Sequence, residues 1–405
     1  MISRPLYETL WHELAAEKPM VFLVGPRQSG KTTFAKKIAM PYASSLYFNW
    51  DNLEDRKRLA STPYFFQEVT RQNGAPPLII LDEIHKYNRW KNYLKGVYDG
   101  FSDRFQFLVL GSGRLNVYQK GGDSLAGRYR MLSLWPLTLA ELAGHQARFA
   151  DFRKHPLRPA SASPAIHKLW DHLAMTSGFP EPFSIGNRAG YQRWVTSYDQ
   201  QLIRQDIRDL TAIKNLDQLE MLYALLPSKV GSLLSIDNLA TDLHVAFNSV
   251  SDWIEVFESF YLVFRLSPWE RSIARSLRKS QKLYFMDYAR LTDPGARFEN
   301  QVAVELWRAV ASWNDRGWGR FKLHYVRTKD HEEVDFLLAE SGKPFLLIEA
   351  KLSDDAPDRS LLKFQKNLRV PAVQVVEKQH VYKILKNEDL DLLIISAARW
   401  LSTLP

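Results

Sequence analysis

Apolar and polar positions fall into blocks whose period changes along the chain. Between residues 20 and 143 the apolar blocks are MVFLVG, SSLYFNW, PLIILDE and FQFLVLGS, with helix-like stretches between them. Short continuous apolar runs read as strands covered on both faces, and their alternation with helices predicts a parallel α/β sheet. HPLRPASASPAIHK (155–168) breaks the pattern with prolines and serines and reads as a linker. Residues 166–230 read as helical, with a break at SGFPEPF. The next segment, SIDNLATDLHVAFNSVSDWIEVFESFYLVFRLSPW (235–269), reads as helix, turn, helix, strand, with KLYFMDY as a second strand. Its apolar positions Leu239, Leu243, Val250, Ile254 and Phe257 follow roughly helical spacing. From Arg297 an amphipathic helix, RFENQVAVELWRAVASW, leads into strands HYVRT, EVDFLLA and FLLIEAK. AVQVVE then precedes a C-terminal α/β tail.

Composition adds bounds. With 405 residues the chain holds enough material for several separate cores. No apolar run approaches the roughly 18 residues that span a bilayer, so no membrane role is expected. MISRPLYETLWHELAAEKP lacks the apolar core of a signal peptide and carries acids that a transit peptide avoids. There is no cysteine, which removes disulfides, thiolate zinc sites and cysteine nucleophiles from consideration. Together these features suit a cytoplasmic protein. The net charge of +9 and pI of about 9.4 favour polyanionic partners.

The first chemistry follows the first apolar run. VFLVGPRQSGKTT is a strand, then Gly25-x-x-x-x-Gly30-Lys31-Thr32, then a helix, which is the P-loop pattern in its required setting. Residues Gly25, Pro26, Arg27, Gln28, Ser29, Gly30, Lys31, Thr32 and Thr33 are expected to cradle the phosphates of ATP. Backbone N–H groups and a helix N-terminus would face the anion. Lys31 would reach the β and γ phosphates, and the Thr32 hydroxyl would ligate Mg²⁺. LIILDE ends a buried strand in Asp82 and Glu83: Asp82 is expected to hold Mg²⁺ and Glu83 to polarise the attacking water. Ser112, at the end of FQFLVLGS, is a candidate to orient that water, with Arg114 just beyond. Arg128 is a candidate arginine finger or γ-phosphate sensor, in a possible homo-oligomer; the alternative is an exposed arginine paired with a nearby acid. Asp82-Glu83-Ile84-His85 also spells the DExH box of helicases, but no second RecA-like core follows.

The middle segment reads as a winged helix-turn-helix, with its wing at about 261–286. The wing tip, RSIARSLRKSQK (271–282), carries basic residues and no acid. These would neutralise phosphates, so non-specific DNA is the expected partner. The second helix offers Asn248, Ser249 and Asp252 but no arginine or lysine to grip guanine edges. A packing module with a solvated basic loop is the alternative.

The last motif is EVDFLLAESGKPFLLIEAK (333–351). With Gly342 at the centre of a turn, Asp335 and Glu349 face one another across a hairpin and Lys351 lies on the same face. Like charges directly opposite are destabilising and buried charge needs compensation, which a divalent cation would supply. A carboxylate followed by E-x-K on the next strand is the PD-(D/E)XK nuclease pattern. Asp335 and Glu349 would bind Mg²⁺ or Mn²⁺, and Lys351 would orient or deprotonate a water. The preceding helix offers Glu299 as a further ligand, with Glu305 as the weaker choice. The alternative is an internal salt bridge.

The sequence GPRQSGKTT, LIILDEI, LVLGS, SLAGRYRMLSLWPLTLAEL, GFPEPF, FENQVAVEL, EVDFLL and IEAK, in that order, resembles the prokaryotic AAA-type ATPases fused to a C-terminal domain of unknown function with a nuclease-like fold. These landmarks cover nearly the whole chain. The resemblance implies an α/β fold with a P-loop AAA-type core and helical extension, a winged helix-turn-helix and a restriction-endonuclease-like α/β domain. The expected domains are 1–150, 151–230, 231–290 and 291–405, respectively the ATPase core, the linker with helical extension, the winged helix and the nuclease-like domain. His85 stands where the family often has glutamine. The expected function is Mg²⁺-dependent ATP hydrolysis controlling a nuclease-like, nucleic-acid-binding domain. The alternative is an ATP-switched DNA-binding or regulatory protein that cleaves nothing.

Overall fold

The computed structural model describes residues 2–72, 74–111, 125–144, 148–159, 161, 163–208, 213, 215–270, 280–386 and 390–405. They divide into two compact units, one of residues 1–136 with 259–261, the other of 137–258 with 262–405.

In the first unit the chain runs through α1 (Pro5–Glu17), β1 (Met20–Val24), α2 (Lys31–Ala39), β2 (Ser45–Asn49), α3 (Leu53–Ser61), β3 (Leu78–Asp82), α4 (Trp90–Phe101), β4 (Gln106–Leu110) and β5 (Arg130–Ser133). The strands form one sheet in the order β2-β3-β4-β1-β5, every pair parallel. The two-residue period of a strand explains how five-residue runs can be apolar throughout. Phe22, Val24, Ile79, Leu81, Phe107 and Val109 pack on one face with Trp90, Leu94 and Val97 of α4 and Leu59 of α3. Val21, Leu23, Ile80, Leu108 and Leu110 pack on the other with Trp11 and Leu14 of α1 and Phe34 and Ile38 of α2. Asn52 starts α3 by accepting hydrogen bonds from the Glu54 and Asp55 N–H groups. The expected strands are all present. β5 carried no strand-like signal because RMLS is short and only Leu132 is buried.

The second unit begins with α5 (Leu139–Leu142), α6 (Phe149–Lys154), α7 (Pro164–Thr176), α8 (Pro180–Ile185), α9 (Arg188–Gln201) and α10 (Leu216–Leu225). The proline-rich stretch is not all linker: Pro164 opens α7, where its missing N–H would have had no helical partner anyway. Two helices follow, α11 (Ile236–Asp242) and α12 (Phe247–Ser259), then an antiparallel pair, β6 (Val263–Leu266) and β7 (Lys282–Phe285). The 22-residue α13 (Pro294–Asp315) is capped by the Asp293 carboxylate, which accepts from the Ala296 N–H. Beyond it lie β8 (Phe321–Arg327), β9 (Glu333–Glu340), β10 (Lys343–Lys351), α14 (Arg359–Leu368), β11 (Ala372–Val376), β12 (Tyr382–Leu385), β13 (Leu392–Ser396) and α15 (Ala397–Leu401). These strands form one mixed sheet in the order β12-β13-β11-β10-β9-β8. β8, β9 and β10 are antiparallel neighbours, whereas β10, β11 and β13 run parallel. Val334, Leu337, Leu347, Ala372 and Ile394 pack with Leu361 of α14. Among the described residues no helix is long and apolar enough to cross a membrane.

Gly25 ties the first sheet to its phosphate loop. Its φ is +146°, and a Cβ there would lie 2.2 Å from the Leu134 carbonyl oxygen beyond β5. Gly25→Ala is therefore expected to push the loop off the sheet edge, costing about 1–3 kcal/mol by overpacking. A lowered melting temperature together with weakened nucleotide binding checks this; an unshifted melt contradicts it.

Candidate functional site

The first site is built at the carboxyl ends of β1 and β3. Gly30, at φ +93°, turns the chain into α2, and Lys31 opens that helix. The Lys31 ammonium donates to the Pro26 and Gly25 carbonyls at 2.7 and 3.1 Å, arching over the loop. Thr32 donates its hydroxyl to Asp82 Oδ2 at 2.9 Å, joining the two groups expected to share Mg²⁺. Both are hard oxygen donors, so the set suits that ion. The Ser29 hydroxyl is buried and has no hydrogen-bond partner among the described residues, leaving a polar group in the loop for an incoming ligand. Arg27 and Gln28 are half-buried in the loop, while Thr33 is exposed on the first turn of α2.

Glu83 follows Asp82 in a left-handed conformation, φ +54° and ψ +20°. For a non-glycine residue this costs on the order of 1–3 kcal/mol and recurs at functional sites. Its carboxylate lies 3.5 Å from both Lys86 Nζ and His85 Nε2. Burial raises its pKa, with Lys86 opposing.

Sequence patterns missed several supporting groups here. Tyr47 of β2 donates its hydroxyl to Asp82 Oδ2 at 2.6 Å. Burial, then the Asp82 bond, holds the Tyr47 phenol protonated well above its usual range. Arg4 is buried and donates to the Trp135 carbonyl at 2.8 Å and to the Ser29 carbonyl at 3.4 Å, bracing the phosphate loop from before α1. His85 and Lys86 carried no weight in the sequence, yet both approach the Glu83 carboxylate. A signal existed only for Tyr47, whose place opposite Ile80 in β2 follows once β2 is aligned with β3.

Arg128 forks onto Asp99 of α4, at 2.7 and 3.2 Å. That is the paired arginine of the alternative reading. Ser112, Arg114 and the basic residues Arg271, Arg275, Arg278 and Lys279 lie outside the described residues.

The second unit gathers a cluster of acids. The register of β9 and β10 pairs Leu337 with Leu347 and Phe336 with Ile348, so Asp335 and Glu349 come next to each other. Each carboxylate accepts from the other strand: Glu349 Oε2 from the Asp335 N–H at 3.2 Å, and Asp335 Oδ2 from the Ala350 N–H at 3.1 Å. Lys351 lies 2.7 Å from Glu349 Oε1 and 3.1 Å from Asp358. Glu299 of α13 accepts from the Tyr284 hydroxyl at 2.7 Å. Burial pushes Glu299, Asp335 and Glu349 all upward; the Asp335 charge adds to the shift in the two glutamates.

Two members were not foreseen. Lys282 of β7, expected on an exposed basic wing, is turned inward with a side chain only 2% exposed. Its ammonium lies 2.5 Å from Glu333 Oε1, 3.4 Å from Glu299 Oε1 and 3.5 Å from Asp335 Oδ1. Burial pulls Lys282 toward deprotonation, but Glu299, Asp335 and Glu333 outweigh it and keep it charged. Glu333 also pairs with Arg327 at 2.7 Å. The donor types suit Mg²⁺ or Mn²⁺, but among the described residues no three acids or histidines are arranged to hold a metal. The cation they surround is Lys282.

Glu305, the weaker choice for a ligand, lies elsewhere. It is fully buried and accepts from the Leu139 N–H at 3.0 Å, with Arg308 at 4.0 Å. Burial pushes it up to about 7, against the pull of Arg308. A carboxyl raised from 4.5 contributes stability that is full below about pH 4.5 and lost as pH rises through about 7. Glu305→Gln should match the wild type near pH 4 and exceed it above neutrality by on the order of 3 kcal/mol. Denaturant melts across that range measure the difference; a gap that does not change with pH contradicts it.

Comparison with known proteins bears on the first unit. Residues 17–143 match the model of an AAA domain. Residues 167–292 and 294–398 match two domains of unknown function, DUF8612 and DUF4143. Uncharacterized proteins of Mycobacterium tuberculosis and Mycobacterium bovis are each 24% identical over 366 residues, covering 88% of this chain and 76% of theirs. One from Methanocaldococcus jannaschii is 24% identical over 297 residues, covering 67% of this chain and 61% of its own. Among solved structures, a Walker-type ATPase of Pyrococcus abyssi aligns over 71% of this chain and 95% of its own, with 13% identity and a TM-score of 0.45. The family match and the P-loop at the end of β1 together support an AAA-type ATPase domain in the first unit.

Proposed function

We propose that the first unit binds and hydrolyses ATP with Mg²⁺, and that this cycle controls a nuclease-like second unit acting on nucleic acid in the cytoplasm. The observation that carries the ATPase reading is the Thr32–Asp82 bond beneath a loop bridged by Lys31. Bound phosphates would offer the Lys31 ammonium anionic acceptors in place of the loop carbonyls. Mg²⁺, held by Thr32 and Asp82, would neutralise charge building on the transferred phosphoryl group. Glu83 would accept a proton from the attacking water once it leaves Lys86 and His85. Burial raises its pKa, which makes it a stronger base than an exposed carboxylate.

For the second unit, the paired acids Asp335 and Glu349, with Lys351 and Glu299, support a phosphodiesterase site of the PD-(D/E)XK kind. With Lys282 withdrawn, the three acids would hold Mg²⁺ or Mn²⁺, whose charge would polarise a phosphodiester. Lys351 would orient the water. The helix pair α11–α12 with the β6–β7 hairpin supports a winged-helix reading and non-specific contact with DNA. Control by the ATPase has a covalent route. The chain leaves the second unit at the last residue of α12, contributes residues 259–261 to the first, and returns just before β6. A second reading, a regulatory module that cuts nothing, is favoured by Lys282, which already answers Glu299 and Asp335.

Glu83→Gln is expected to bind ATP but to hydrolyse it at least about 100-fold more slowly, because the base is lost and Asp82 remains. Lys31→Ala should lose nucleotide affinity instead. Nucleotide titrations and phosphate release on both variants separate the roles. Normal turnover in Glu83→Gln removes the assignment of the base.

A further inference from the structure

We propose that Lys282 is a tethered competitor for the divalent cation: while its ammonium lies among Glu299, Glu333 and Asp335, the acid cluster is closed to metal. The inference rests on reading the cluster as a metal site and concerns how that site is opened.

Geometry carries it. Three carboxylates from two elements, α13 and β9, lie within 3.5 Å of one ammonium group. A lysine that only balanced a single neighbour would have no reason to sit at their common point. The groups around it are otherwise committed to one another. Glu333 is shared with Arg327, Glu349 is drawn to Lys351, and Tyr284, two residues along β7, donates to Glu299. The Tyr325 ring lies beside the ammonium, 5.8 Å from Nζ to the ring centroid.

The backbone of Lys282 is held on both sides. It pairs with Leu266 of β6 and bridges to Leu233, while the Leu234 N–H donates to the Gln281 carbonyl at 2.8 Å. On the Glu299 side, Gly231 closes over the carboxylate: a Cβ there would meet Glu299 Oε2 at 2.8 Å. A cation entering the cluster must therefore displace the lysine side chain or shift β7 with it.

Charge shows why the exchange is possible. Glu299, Glu333, Asp335, Glu349 and Asp358 carry five potential negative charges. Lys282, Lys351 and Arg327 supply three positive ones. A buried excess of negative charge is costly, so a divalent ion is a stronger counter-charge than the ammonium it replaces. The apparent affinity for metal is the intrinsic affinity multiplied by the fraction of molecules in which the lysine has withdrawn. An element that draws β7 away from α13 would raise that affinity without touching the acids.

The test uses the full chain and Mn²⁺ alone, read by the spin resonance of free Mn²⁺. Lys282→Met should bind Mn²⁺ at least about 10-fold more tightly than the wild type, and Asp335→Asn in that background should abolish the gain. Equal or weaker binding in Lys282→Met, with Asp335→Asn still abolishing it, overturns the competition and leaves the metal site standing. Binding that ignores Asp335→Asn in both backgrounds removes the metal site and this inference with it. Because Lys282→Met leaves acids unbalanced, a second measurement uses the wild type. Acylation of Lys282 by an amine reagent, followed by mass spectrometry, should be slow without metal and several-fold faster with Mn²⁺ bound. Unchanged acylation with Mn²⁺ held at Asp335 overturns the competition.

Discussion

A buried carboxylate must be answered where it sits. Water cannot reach it, and the interior gives little dielectric relief. That constraint shapes both sites. Asp82 ends a strand whose other residues are all apolar, and it is answered by two hydroxyls, Thr32 and Tyr47, on one oxygen. The strand can be fully apolar because its only charge emerges at the sheet's end. In the second unit the demand is heavier, since acids arrive from α13, β9 and β10 together. Lys282, from a fourth element, answers those of α13 and β9, and Lys351 answers Glu349 of β10.

The two answers differ in kind. Hydroxyls satisfy Asp82 without neutralising it, so the charge remains for a cation. An ammonium group both satisfies and neutralises. Hydrogen bonding answers the acid of the first unit, and charge answers the acids of the second. Glu83 shows a third arrangement: a strained backbone aims the carboxylate, and Lys86 lies 3.5 Å from it.

Much of this was legible in the sequence, for identifiable reasons. The apolar runs of β1, β3 and β4 are unmistakable because both faces of the sheet are covered. The phosphate loop is legible because its residues are consecutive. The pairing of Asp335 with Glu349 is legible because a hairpin's register follows from its turn. Lys282 was not, because it reaches Glu299 and Asp335 across 17 and 53 residues of chain. In one dimension it is the last member of a basic run and shares that run's exposed appearance. Only its spacing from Tyr284, two positions along a strand, placed it on the covered face. Arg4 was hidden for the same reason, since its partners Ser29 and Trp135 are distant in sequence.

The passage of residues 259–261 through the first unit has a consequence for how this chain can be divided. Tyr261 stands edge-on to Trp135, with ring centroids 5.3 Å apart, so the first unit's own aromatic packing is completed by residues more than a hundred positions downstream. The first unit is therefore not a contiguous stretch of the gene. A fragment ending at Pro136 would lack three of its residues, and one beginning at Leu137 would carry them without their partners.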